Sequence, residues 1–332
     1  MSILKALQRK QSEENRQTGK KTSNVVPFEK SGKPVGGSKP LDLFSDKNFR
    51  IGIPGSAFKE QNGSTVGTAL PDRRAEETAG ATLNAAFSTR PGEKLLPDFV
   101  SWTVEAGRVE PRLVAVTTPN SAYCEEYRSL RTHILHKSQK QKLQSIVIAS
   151  INPGEGKSIT ALNFSWLLAQ TDGVRALIID SDLRMPSLTD YLGIETDKGL
   201  SEILAGKASL RDSIIRLQPA GLHLLPGGEA RTDVAELISG PKFKEILREA
   251  KEMFDYVIID APPLGIFTDA NVLINHADGA LLVIRAGRTR YDTVDRILET
   301  LPRERMMGVV LNQSEDVLSE SHYSYGYYGK KR

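Results

Sequence analysis

The chain has 332 residues, 39% of them hydrophobic, enough for one large domain or two ordinary ones. Its longest apolar runs, such as Ala280–Ile284, are strand length and fall far short of the roughly 20 residues of a membrane span. One cysteine, Cys124, excludes an internal disulfide, a thiolate metal cluster and a Cys-x-x-Cys redox pair.

The net charge of +3 is unevenly spread. Residues 1–50 hold eleven Lys/Arg and five Asp/Glu, a net +6, which leaves −3 for the other 282. Such a basic lead reads as a solvated tail, with contact to an anionic membrane surface or an acidic partner as the alternative. No basic stripe interleaves with aromatics, so no nucleic-acid partner is expected. The first ten residues lack an apolar core and a small-residue cleavage site, and no signal peptide is read there.

Residues 1–110 are rich in Gly, Ser, Pro, Lys and Gln, and no periodicity survives beyond a helical turn. They read as a mostly disordered extension. Arg112–Val116 reads as a short strand, and Thr118-Pro-Asn-Ser121 supplies caps for a helix to about His136, with Cys124 semi-buried near its start. From Ser145 strands and helices alternate. Strands are predicted at 145–150, 175–180, 222–226, 255–260, 279–285 and 307–312. Helices are predicted at 157–170, 199–217 (broken near Gly206), 233–253 (broken at Gly240-Pro241), 268–276 and 291–301. This is the pattern of an α/β domain with a mostly parallel sheet covered by helices on both faces, here assigned to residues 111–318, with a tyrosine-rich tail at 319–332.

The informative stretch is 146–164. Ile146-Val-Ile148 reads as a buried strand that breaks into Pro153-Gly-Glu-Gly156 and restarts as a helix at Lys157 and Ser158. Strand, glycine loop, Gly-Lys-Ser and helix are the parts of a phosphate-binding loop. Gly154 and Gly156 let the backbone approach an anion, Lys157 reaches the β/γ-phosphates, and the Ser158 hydroxyl ligates Mg²⁺. The place six before the lysine, usually Gly, is Ile151.

Two further strands end in carboxylates, Ala176-Leu-Ile-Ile-Asp180-Ser-Asp182-Leu-Arg184 and Tyr256-Val-Ile-Ile-Asp260-Ala-Pro-Pro263. Ligands of open α/β sheets sit beyond the carboxyl ends of the strands, so both clusters are expected at the phosphate loop. Asp260 is the Walker B candidate for Mg²⁺. Of Asp180 and Asp182, one can serve the metal shell while the other accepts a proton from an attacking hydroxyl. Arg184 either compensates the phosphates or pairs with one of these aspartates. The end of the chain places Tyr323, Tyr325, Tyr327 and Tyr328, four of nine tyrosines, among Ser, Gly and basic residues. They are either an exposed aromatic tail or, beside a phosphoryl-transfer site, its acceptors. Asn312 to Tyr323 spans at most roughly 36 Å, which serves the chain's own site or a neighbour's.

Together these residues make the segment from about 112 to 332 resemble the bacterial protein-tyrosine kinases of capsule and exopolysaccharide synthesis, in the cytoplasmic type whose membrane activator is a separate chain. The match rests on Pro153–Ser158, on Asp180-Ser-Asp182-Leu-Arg184-Met-Pro186, on Asp260-Ala-Pro-Pro263 with Thr268-Asp269-Ala270, and on the tyrosine tail. The resemblance implies a P-loop NTPase-type fold and an ATP- and Mg²⁺-dependent tyrosine autokinase. Pro153, Gly154, Glu155, Gly156, Lys157, Ser158, Ile159, Arg184 and Asn312 would be on ATP, Asn312 near the adenine. Ser158, Asp182 and Asp260 would surround Mg²⁺. Lys157, Asp180, Asp182 and Asp260 would be catalytic, and the four tail tyrosines phosphoacceptors.

Glu125-x-x-Arg128-x-x-Arg131 resembles the family's oligomerisation motif, implying a ring in which one subunit's tail enters the next site. By spacing alone, Glu125 and Arg128 make an intrahelical pair. The implied activator is a membrane polysaccharide co-polymerase (a chain-length determinant protein), and the implied place is the cytoplasm, recruited to the inner membrane face. The chain departs from the family's proline-rich stretch at Glu229–Ala235. The competing readings are an ATPase switch of the kind that positions plasmids or division sites, which carries an extra lysine where this chain has Asn152, and a scaffold that uses nucleotide only to assemble.

Overall fold

The computed structural model describes residues 97–314. The tail tyrosines and residues 1–96 lie outside them.

Eight strands form one sheet: β1 (Val100–Thr103), β2 (Ser145–Ser150), β3 (Ala176–Asp180), β4 (Ile215–Gln218), β5 (Leu222–Leu225), β6 (Tyr256–Asp260), β7 (Gly279–Arg285) and β8 (Met306–Asn312). Their order is β1-β4-β5-β3-β6-β2-β7-β8. From β5 to β8 every pairing is parallel, whereas β4 runs antiparallel to β5 and carries β1 parallel to itself. Every residue of β2, β3, β5 and β6 is buried. Near-continuous apolar runs are what a parallel strand covered on both faces requires.

The pleat then divides these runs between two cores. Val147, Ala149, Val257 and Ile259 face one layer, with Phe243, Leu273 and Leu298 from helices. Ile146, Ile148, Tyr256 and Ile258 face the other, with Tyr127, Leu130, Phe164 and Trp166. The helices are α1 (Val114–Thr117), α2 (Ala122–Ser138), α3 (Lys157–Ala169), α4 (Leu188–Leu192), α5 (Leu200–Leu204), α6 (Leu210–Ser213), α7 (Val234–Ser239), α8 (Pro241–Met253), α9 (Asp269–His276) and α10 (Tyr291–Thr300). Among the described residues no helix is long and apolar enough to cross a membrane.

From 145 onward the predicted strands and helices are present, but the sequence expectations missed α4 and misread the segment before β5. The predicted helix 199–217 is two short helices, α5 and α6, followed by β4. Ile214-Ile215 favours strand over helix, and Gly221, at φ +73°, turns the chain back into β5. The folded region also begins earlier than residue 111. Phe99 packs on His223 and Phe254, and β1 follows within the segment read as extension. All four β1 residues are exposed, so the strand carries no alternating signal. The strand expected at 112–116 is instead a single helical turn, α1. Asn163 on α3 fixes it, accepting from the Ala115 amide at 2.9 Å and donating to the Arg112 carbonyl at 3.0 Å. The cap at Ser121 accepts from the Cys124 amide as expected, and Cys124 is fully buried.

Candidate active site

Three neighbouring strands build the site. β3, β6 and β2 are adjacent and parallel, with Asp180 in register with Asp260 and Asp260 with Ile148. Their carboxyl ends therefore open at one place, where β2 runs into the loop 151–156 and then α3.

The loop is closed by its own Glu155. One carboxylate oxygen accepts from the amides of Ile151 at 2.7 Å and Asn152 at 2.8 Å, and the other accepts from the Thr289 hydroxyl. Glu155 is thus turned into the protein, bracing the loop rather than facing a ligand. Asn312, at the end of β8, donates from Nδ2 to the Glu155 carbonyl at 2.8 Å and accepts the Gln313 amide at 2.9 Å. Asn312, expected near the adenine, is thus held against the phosphate loop through both polar ends of its side chain. The sequence reading missed Thr289, which lies in the loop after β7 and carries no motif of its own.

Gly154 and Gly156 take φ of +76° and +91°. At Gly156 an added Cβ would lie 2.1 Å from Asn312 Nδ2. Gly156→Ala therefore combines about 1–2 kcal/mol of left-handed strain with loss of the Asn312–Glu155 bond, about 1 kcal/mol. Urea denaturation should show a stability loss of roughly 2–3 kcal/mol by those two terms. An unchanged midpoint would mean that the loop relaxes freely.

Lys157 opens α3, and its Nζ lies 3.1 Å from Ser158 Oγ, 3.0 Å from Asp182 Oδ2 and 3.7 Å from Asp260 Oδ2. Burial alone would lower the ammonium, but the charges of Asp260 and Asp182 override it and hold it above its ordinary value. Asp180 and Asp260 are raised as well, both first by burial. Asp180 reaches about 7, with the Asp260 charge the next cause.

The two aspartates that the sequence left interchangeable are now distinct. Asp180 accepts three backbone amides, from Asp182 at 3.2 Å, Ser187 at 2.9 Å and Leu188 at 3.0 Å, and so ties the turn 181–188 into α4. Asp182 faces Lys157.

Asp260 is fully buried, and neither of its carboxylate oxygens accepts a hydrogen bond among the described residues. An orphaned carboxylate beside Ser158 Oγ and Asp182 is an all-oxygen donor set of the kind a hard divalent cation takes. The residues present fit Mg²⁺.

Arg184 points elsewhere. Its Nε donates to Asp269 Oδ2 at 2.8 Å, its Nη1 to the Thr232 carbonyl at 3.2 Å, and its guanidinium lies 4.3 Å from the Phe267 ring centroid. The partner is neither Asp180 nor Asp182 but a fully buried aspartate at the start of α9. Arg184 thereby clamps the turn after β3 to the segment after β6. The Arg231 amide also donates to the Leu183 carbonyl at 2.8 Å, so the stretch 229–235 docks on that same turn without its prolines. Met185 and Ile266, on either side of the clamp, are among the few large apolar side chains left exposed.

Glu125, Arg128 and Arg131 do not join the site. On α2, Arg128 pairs with Glu125 and donates to the Pro119 carbonyl at 2.8 Å, while Arg131 reaches the Leu167 carbonyl at 3.3 Å.

A family model described as an AAA domain matches residues 143–307. The tyrosine-protein kinase YwqD of Bacillus subtilis (strain 168) is 36% identical over 226 residues, 68% of this chain and 94% of that protein. The succinoglycan biosynthesis transport protein ExoP of Rhizobium meliloti (strain 1021) is 35% identical over 207 residues, 61% of this chain but 26% of that much longer protein. Among solved structures, the kinase domain of the Escherichia coli tyrosine kinase ETK superposes with a TM-score of 0.60 at 28% identity, covering 66% of this chain and 86% of that one. A glycine loop opening a helix, two carboxylate strand ends at its lysine and likeness to these relatives over nearly the whole described region lead to one assignment: the chain belongs to the bacterial protein-tyrosine kinases of capsule and exopolysaccharide synthesis, and is a nucleotide-binding protein-tyrosine kinase.

Proposed function

We propose that the chain transfers the γ-phosphoryl group of ATP to Tyr323, Tyr325, Tyr327 and Tyr328 of another copy of itself. The observation that carries this reading is the buried cluster of Lys157 with Asp182, Asp260 and Asp180 at three adjacent strand ends. Phosphoryl transfer needs positioning and charge compensation more than covalent help.

In this reading the amides at the start of α3 and the loop backbone hold the phosphates, and Lys157 turns from Asp182 towards them. Ser158, Asp182 and Asp260 hold Mg²⁺, which supplies charge neutralisation on the phosphates. Asp182 takes the proton of the attacking tyrosine hydroxyl, whose reference pKa of about 10 leaves it protonated at neutral pH. The tyrosine oxygen bonds to the γ-phosphorus, the bond to the β,γ-bridging oxygen breaks, and ADP departs. Asp180, fixed by three amides, positions Asp182 rather than acting as the base. Arg184 positions the same turn through Asp269.

The tail reaches the neighbour's site in a ring-like homo-oligomer, with Glu125, Arg128 and Arg131 at its contacts. ExoP holds its matching segment within a much longer protein named for transport. This supports a membrane polysaccharide co-polymerase as activator, and a cytoplasmic place at the inner face of the membrane.

The test mixes two copies with Mg²⁺–ATP, alone and with a cytoplasmic activator peptide, and maps phosphotyrosine by mass spectrometry. One copy carries Lys157→Met and the other carries phenylalanine at all four tail tyrosines. Label on the tail of the Lys157→Met copy is expected. No label in this mixture, with label in the unaltered protein, would place transfer within one chain. ATP hydrolysis without phosphotyrosine in either would favour the ATPase switch.

A further inference from the structure

The loop after β7, Arg285-Ala-Gly-Arg288-Thr289-Arg290, presents three guanidinium groups within six residues beside the end of β8. It is a built turn. The Arg288 and Thr289 amides donate back to the Arg285 carbonyl, at 3.4 and 3.2 Å, and Gly287 supplies the left-handed residue at φ +68°. Two tethers fix its place. The Ala286 amide donates to the Asn312 carbonyl at 2.8 Å, and the Thr289 hydroxyl donates to Glu155 of the phosphate loop. Arg288 and Arg290 are exposed and Arg285 is half-buried. Neither Arg285 nor Arg288 has an acidic partner among the described residues. Arg290 has only Asp292, at 3.6 Å, both side chains being more than three-quarters exposed. A pair so exposed contributes little and exchanges readily.

What distinguishes this turn from an ordinary solvated cation cluster is the sequence that follows the strand beside it. Arg285 is in register with Asn312, so β8 ends at this turn, two residues before Ser314 and the chain that follows it. That chain carries Glu315, Asp316 and Glu320 before the first tail tyrosine. From Ser314 to Tyr323 is nine residues, at most about 32 Å, so the tyrosine cluster can return to the turn. Each phosphotyrosine adds a charge of about −1.5 to −2 and three acceptor oxygens. Guanidinium groups take such oxygens in bidentate pairs, and a tether this short gives an effective concentration on the order of millimolar.

We propose that Arg285, Arg288 and Arg290 form a phosphotyrosine-binding site for the modified tail of the same chain. Docking there withdraws a phosphorylated tail from a neighbour's active site and keeps it on its own subunit. Through Thr289 and Glu155, the docked tail also rests on the element that braces the phosphate loop. The biological role rests on the tail phosphorylation proposed above; the binding site itself does not.

A synthetic peptide of residues 319–332 with phosphotyrosine at 325 and 327, bearing a fluorophore, tests the site by anisotropy. The peptide is titrated with the full chain saturated with ADP. The phosphorylated peptide should bind at least tenfold more tightly than the unmodified one. Arg288→Glu with Arg290→Glu should abolish that difference, and rising salt should weaken it. Equal binding of the two peptides, or equal binding by the double variant, overturns the site. So does binding that ADP displaces, since the peptide then sits in the phosphate loop. Because the peptide arrives already phosphorylated, the outcome is independent of autokinase activity, whose failure shows as absent phosphotyrosine after incubation with ATP.

Discussion

Lys157→Met should reduce phosphotyrosine formation by at least about 10²–10³, the scale on which one preorganised charge-stabilising donor contributes to a transition state. The same substitution should reach stability. Lys157 is the cation set among Asp182, Asp260 and Asp180, and removing one partner of a buried ionic cluster costs about 3–5 kcal/mol. That cost depends on pH. Asp180 is raised to about 7 with the ammonium in place, and Asp260 is raised as well.

A carboxyl whose folded pKa exceeds its unfolded value binds more protons when native, so its contribution to stability is complete below the unfolded pKa and is lost as pH rises through the folded one. For Asp180 the window runs from about 4 to about 7. Without the lysine it extends upward. Nucleotide-free Lys157→Met should therefore lose more stability at pH 8 than at pH 6 relative to the unaltered chain, read by urea denaturation at both values. Equal losses would show that the carboxylates do not share protons as their burial implies.

Asp260→Asn separates function from stability in the opposite sense. Asp260 is fully buried, neither of its oxygens accepts a hydrogen bond among the described residues, and burial is the leading cause of its raised pKa. Lys157 lies closer to Asp182 than to Asp260, so the substitution does not strand the ammonium. A carboxyl raised by burial costs stability when it is ionised, and an amide of the same shape carries no such charge. The metal-free variant at pH 8 should therefore match or exceed the unaltered protein, while phosphotyrosine formation falls by about 10² or more. Mg²⁺ should also cease to raise its melting temperature in the presence of ADP. A loss on the order of 3 kcal/mol would instead make Asp260 a stabilising partner of Lys157, as broken buried pairs are.

These two residues also show how the site was divided between sequence and structure. The residue types at the loop and at both strand ends were legible because each motif is local. A buried apolar strand, a glycine turn and a carboxylate at a strand end announce themselves within ten residues. The parallel sheet was legible for the same reason, since continuous Val/Ile/Leu runs fit strands covered on both faces.

What the sequence could not supply is direction. Glu155 and Asn312 read as ligand contacts, and the fold turns both onto the protein, because Thr289 and the end of β8 arrive from more than 130 residues away. Asp180 and Asp182 were interchangeable until the amides of Ser187 and Leu188 claimed one of them. Arg184 had two aspartates in its own motif and pairs with Asp269, 85 residues on. β1 escaped notice because its four exposed residues have no burial pattern to display, β4 because Ile215–Leu217 fell within the helix predicted at 199–217, and α1 because one asparagine of α3 decides its backbone. The sequence by itself determined which groups meet at the carboxyl ends of β2, β3 and β6. Only the tertiary structure decided which protein groups each of them faces, since the hydrogen-bond partners that orient a buried polar side chain come from distant strands.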